Sequence, residues 1–93
     1  MTSQRNSLCA FTLRGAIVDL DGTSPYQPHH PSTVILVSSA EEITPVVVPA
    51  AVLGDKLPLL CAGRPIQVSG NVEKYEDRKH YVATRLRLLA GGN

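Results

Sequence analysis

The sequence has no tryptophan, one phenylalanine and three tyrosines among its 93 residues. A surface that binds tightly by stacking on several large rings is therefore disfavoured. No apolar run approaches the ~18–20 residues that a helix needs to span a bilayer. The opening stretch MTSQRNSLCAF lacks the charged n-region and the long apolar h-region of a secretory signal, so a cytoplasmic location is expected. Only two cysteines occur, Cys9 and Cys61, far apart and in apolar surroundings. Without an export signal, buried reduced thiols are expected rather than a disulfide. There is no Gly-rich phosphate loop and no Ser-His-Asp or Cys-His arrangement, so neither catalysis nor a cofactor is expected.

Charge of one sign is also missing, because the net charge is +1. Its distribution is uneven. Residues 1–72 carry four basic and five acidic side chains, whereas residues 73–93 carry five basic and three acidic ones. A weak anion-attracting region toward the carboxyl end follows. The length fits one domain, expected over residues 7–90 with flexible ends at 1–6 and 91–93. At 43% apolar residues and a mean hydropathy of +0.01, the chain has enough aliphatic material for one compact core.

The pattern that is present is one of strands and turns: Val, Ile, Thr and Leu in short runs separated by Gly, Pro, Asp and Ser. Phe11–Leu20 reads as a first strand, with Gly15 in its middle marking a bulge or a sharp coil that lets one strand serve two sheets. Asp21–Ser32 is expected to be a loop, since three prolines in seven residues exclude helix and central strand. Thr33–Ser39 is a second strand, AEE a turn, and Ile43–Ala50 a third strand with Pro45 and Pro49 where missing donors do least harm. A short helix is expected behind Asp55 as cap, with Pro58 in its first turn and Gly63 just past its end. Pro65–Tyr75 alternates cleanly, with Ile66, Val68 and Val72 on one side. Beyond the polar tip EDRK, the closing strand His80–Leu89 is expected to turn Val82, Leu86 and Leu88 inward and Tyr81, Arg85 and Arg87 outward. Gly70 is expected to relieve crowding where strands bend.

One short stretch, Ala16–Thr23 (AIVDLDGT), resembles the signature of the haloacid dehalogenase phosphatases, whose two aspartates would be Asp19 and Asp21. Such an enzyme is a wound parallel α/β domain, and its chemistry needs a further Ser/Thr, a Lys and a second acidic pair to hold Mg²⁺ and the phosphoryl group. The segment after Thr23 is broken by proline, and no helix of crossover length follows. Asp19, Asp21 and Gly22 are read instead as the end of the first strand and the opening of a loop.

The element order strand, strand, strand, short helix, strand, strand points to an all-β fold, a five-stranded barrel with one short helix. Gly63–Leu89 (GRPIQVSGNVEKYEDRKHYVATRLRLL) resembles the second half of nucleic-acid-binding OB domains. These share a Gly after the helix, a V-x-G-x-V strand, a charged hairpin and an apolar closing strand. The stretch is similar to single-stranded DNA-binding proteins, primosomal replication protein N and some tRNA-synthetase anticodon-binding domains. The resemblance implies an OB barrel that binds single-stranded nucleic acid, most of all DNA, without catalysis, in replication, repair or plasmid and phage maintenance. A homodimer or a replication-protein partner is implied with it.

The residues expected to carry binding lie mainly in the hairpin, where Lys74, Tyr75, Arg78, Lys79, His80 and Tyr81 interleave cations with rings. Cations meet phosphates and release counterions, and flat faces accept unstacked bases. Arg85 and Arg87 would extend this stripe if they share the outward face of Tyr81. A solvated hairpin neutralised by Glu73, Glu76 and Asp77 is the alternative. In the loop between the first two strands, Tyr26 either stacks on a base or packs under its own prolines. His29 and His30 there point apart and lack partners at metal spacing, so solvated histidines are expected. From a different class comes the possibility of a protein-interaction subunit docking a partner protein, which near-neutral charge and few aromatics favour.

Overall fold

A computed structural model describes residues 6–23 and 32–89, with side chains described for 8–20 and 32–89. The expectations for Tyr26, His29 and His30, and for residues 1–5 and 91–93, fall outside the described residues, whereas Asn6, expected in the flexible end, belongs to a strand.

Five strands form a closed barrel: β1 (Asn6–Thr23), β2 (Ser32–Ser39), β3 (Glu42–Pro49), β4 (Pro65–Tyr75) and β5 (Arg78–Leu88). Around the barrel the order is β1-β2-β3-β5-β4, with β4 returning to β1. All neighbours are antiparallel except β3 and β5, which meet in parallel at Val46 with Tyr81 and Val47 with Val82. This is not the wound parallel sheet that AIVDLDGT would demand. Asp19 there lies exposed on β1, where its Oδ1 accepts a bond from the Leu20 N–H at 2.8 Å.

β1 is longer than the sequence suggests. Its first part, Asn6–Ala16, pairs with β4, and its second, Ala16–Thr23, pairs with β2. Gly15 sits at the changeover, where a Cβ would collide with the carbonyl of Ser38 on β2. One strand thus serves both halves of the barrel, as its central glycine suggests.

The short helix lies earlier than expected. α1 (Ala50–Leu53) directly follows Pro49 and ends at Gly54, whose φ of 56° reverses the chain. Asp55 comes after that break and so caps nothing. A single 3-10 turn, Leu57–Leu59, takes up the segment with Pro58 inside it. What the tertiary structure needs from this connection is two plugs for the barrel, Leu53 and Leu60, both buried.

The interior is aliphatic throughout: Ile17, Ile35, Val37, Val46, Val48, Ile66, Val68, Ala83 and Leu86 join Leu53 and Leu60, with Phe11, Leu13, Leu20, Val52 and Leu88 around them. Burying a side chain of this kind stabilises by about 1.5–3 kcal/mol, which lets a chain with so few rings close a core. Both cysteines are free, but exposed rather than buried. Among the described residues, no helix is long and apolar enough to cross a membrane.

Candidate nucleic-acid interface

The β4–β5 hairpin is the most legible part of the sequence, and β4 has the expected bounds. The turn is Glu76-Asp77, both at positive φ (52° and 66°), leaving Tyr75 opposite Arg78. A two-residue turn of this hand matches the twist of its flanking strands. β5 therefore begins two residues earlier than expected, at Arg78.

A bulge decides which way the closing strand faces. Between the pairs Ser69–Arg85 and Gly70–Ala83 the register slips, so Thr84 has no partner across the ladder. Its hydroxyl donates to the Ser69 carbonyl at 3.4 Å. Gly70 makes the bulge possible, because a Cβ there would fall on the Val82 carbonyl and the Thr84 N–H. An extra residue inverts the alternation on one side of it. Arg85 and Arg87 face out and Leu86 in, as expected, but the facing of Tyr81 and Val82 is corrected. Tyr81 pairs with the core residue Val46 and shares the side of Ala83, whereas Val82 lies on the outer face.

The expected stripe is consequently split between two faces. On the outer face of the sheet β1-β4-β5 stand Tyr75, Arg78, His80, Arg85 and Arg87. On the other side are Lys74 and Lys79, directly opposite each other, with Tyr81 two residues further along β5. Tyr81 is 36% exposed and packs edge-on against Phe11, with ring centroids 5.0 Å apart and planes at 87°. Tyr81 thus closes one end of the barrel with its inner edge and shows the rest of its ring to solvent. Two like charges facing across a ladder repel, so the Lys74–Lys79 pair is a place where an anion would relieve repulsion.

On the outer face, Tyr75 is half-buried and packs with Val34 against Val47 and Val82, a small apolar cluster outside the barrel. His80 stands opposite Glu73, which is only 8% exposed. Partial burial, then the neighbouring Arg78 charge, lower the His80 pKa, while Glu73 acts the other way. His80 is therefore biased toward its neutral form, in which a ring nitrogen can still accept a hydrogen bond.

The other end of this face is purely cationic. Arg85 and Arg87 are both exposed, and register places a third exposed arginine, Arg14 of β1, in the same row as Gln67 and Arg87. The next row is Thr12, Ser69 and Arg85. Neither row contains a carboxylate, and among the described residues none of the three arginines forms an ion pair. Sequence reasoning missed Arg14. The alternation of β1 shows that it faces away from Leu13, but its neighbours are set by pairing with a strand more than fifty residues away.

No group of three or more His, Cys, Asp or Glu side chains able to hold a metal ion occurs among the described residues. No family model matches the chain, and no curated protein matches it.

Proposed function

We propose that this barrel is a non-catalytic binding protein for single-stranded nucleic acid. The observation that carries the reading is the pair of exposed arginines, Arg85 and Arg87, side by side on an outer sheet face in rows free of carboxylates. Arg78 lies on the same face at the hairpin, nine residues along β5 from Arg87, about 30 Å at the rise of a strand. Tyr75 lies beside it and offers a ring for stacking. A strand passing round the hairpin also meets Lys74, Lys79 and the open part of Tyr81. The closed five-stranded barrel is compatible with the OB architecture that the sequence of β4 and β5 resembles, and OB barrels hold 4–16 nucleotides each. Single-stranded DNA is the first ligand to try, with replication or repair as the setting. Pairing two such faces in a dimer would strengthen a weak site.

The test is fluorescence anisotropy with labelled single-stranded DNA, single-stranded RNA and duplex, at low and at physiological salt. Binding to a single strand is expected, weakening steeply with salt as counterions are released. The double variant Arg85→Glu, Arg87→Glu, both exposed, is expected to keep the fold by circular dichroism and lose binding by about a hundredfold, two charge contacts at about 1.4 kcal/mol each. Unchanged affinity in that variant would sink the proposal.

A second reading draws on a different face. Ile43 is 58% exposed on the outer side of β3, and its neighbours there, Ser38, Leu36 and Pro45, are uncharged. This favours the docking of a partner protein on β2–β3. A barrel of that kind shows negligible oligonucleotide binding even at low salt.

A further inference from the structure

We infer that the single strand runs across the outer face of β1-β4-β5, with Arg14 as a phosphate contact, and not over β2–β3. The inference rests on the proposed nucleic-acid reading and specifies its path. OB barrels bind oligonucleotides mainly on the β2–β3 face and its flanking loops. Here that face has no cation to offer. From Gly15 to Asp55 the chain contains no lysine or arginine at all, a span that covers the second part of β1, all of β2 and β3, and the connection between β1 and β2. The charges on β3 and its turn are Glu41 and Glu42, both exposed. A polyanion laid over the outer face of β2–β3 would meet mainly apolar side chains, with the Glu41 carboxylate at the turn and that of Asp19 beside Leu36.

The opposite flank is its complement. Arg14, Gln67 and Arg87 form one row across three strands, and Thr12, Ser69 and Arg85 form the next. Adjacent strands lie about 4.8 Å apart and alternate residues about 6.6 Å apart along a strand. Arg14 and Arg87 are thus about 10 Å apart, with Arg85 about 6.6 Å beyond Arg87. Between the cations are only neutral hydrogen-bonding groups: the Gln67 amide and the Thr12 and Ser69 hydroxyls. Guanidinium groups suit phosphate oxygens because their planar fork donates two parallel bonds. The base of the patch is rigid, since β4 is paired on both sides along its length.

A carboxylate introduced on each of the two faces discriminates between the paths. Labelled (dT)20 is titrated against the full chain, against Arg14→Glu and against Ile43→Glu. Thr12→Glu, also exposed, serves as a second probe of the arginine rows should Arg14→Glu fold poorly. Arg14→Glu or Thr12→Glu is expected to weaken binding about tenfold at low salt, and Arg14→Glu to reduce the slope of log affinity against log salt by about 0.7, one phosphate contact on a single strand. Ile43→Glu is expected to bind within twofold of the wild type. The reverse pattern, with Ile43→Glu weakened and the β1 variants unaffected, overturns the path while leaving the nucleic-acid function standing. Absence of (dT)20 binding by the unaltered chain overturns both together.

Discussion

Gly70 is the residue on which the site most depends. Its missing side chain lets the β5 backbone approach and bulge at Thr84, and the bulge turns Tyr81 toward the barrel while Arg85 and Arg87 remain outside. Gly70→Ala is expected to cost about 3 kcal/mol, the upper end for overpacking against backbone that cannot retreat, read as a drop in the urea midpoint. His80 contributes through its proton. Its pKa is lowered in the fold, so the unfolded chain takes up a proton at a higher pH than the native one does. This leaves stability unaffected well above pH ~6.5 and subtracts from it as the pH falls through that value toward the lower native one. The loss of melting temperature between about pH 8 and about pH 5 is therefore expected to be smaller in His80→Gln than in the wild type. Equal losses would show that burial beside Val82 and Arg78 leaves His80 proton affinity unaltered.

At the scale of elements, the two hairpin turns are the strained parts. Ala40 and Glu41 join β2 to β3 at φ of 52° and 73°, and Glu76 and Asp77 join β4 to β5. Alanine and glutamate gain nothing from that conformation, whereas aspartate tolerates it better. Glu41→Gly is expected to stabilise by about 1 kcal/mol and Asp77→Gly by less, both from denaturant midpoints. A larger gain at Asp77 would contradict this account. The elements were unequally legible. β4 could be read to the residue because Ile66, Val68 and Val72 alternate with polar neighbours without interruption. β5 could not, because HYVATRLRLL looks like one unbroken alternation. Nothing in its letters marks Thr84 as the residue that drops out of the ladder; the steric demand comes from Gly70 on the partner strand. The connection after β3 misled for a related reason. Asp55 and Pro58 have the chemistry of a helix start, but Gly54 had already ended the one turn needed to bring Leu53 into the core.

For the molecule as a whole, closure is uneven around the barrel. β4 has a partner on each side along its length, whereas β3 and β5 meet at only two residue pairs. Hydrogen exchange is expected to reflect this: the central β4 amides should be the slowest to exchange, and those of Glu42–Thr44, paired only to β2, among the fastest in any strand. Equal protection across β3 and β4 would mean that the seam is tighter than its ladder implies. The same unevenness separates the faces. The side rich in pairing presents the arginines, and the side nearer the seam presents Ile43, Leu36 and Pro45.

The sequence by itself determined that the chain is a set of short aliphatic strands with a charged hairpin near its carboxyl end. These are local properties, set by side-chain periodicity and by the backbone preferences of proline and glycine. It also determined that cations concentrate late in the chain. Which of those cations share a surface was decided only by the tertiary structure, since a sheet face is assembled from residues distant in sequence and one bulge reverses a strand. Arg14 joined Arg85 and Arg87 through pairing with β4, and Tyr81 left them because backbone crowding at Gly70 cost the ladder one residue.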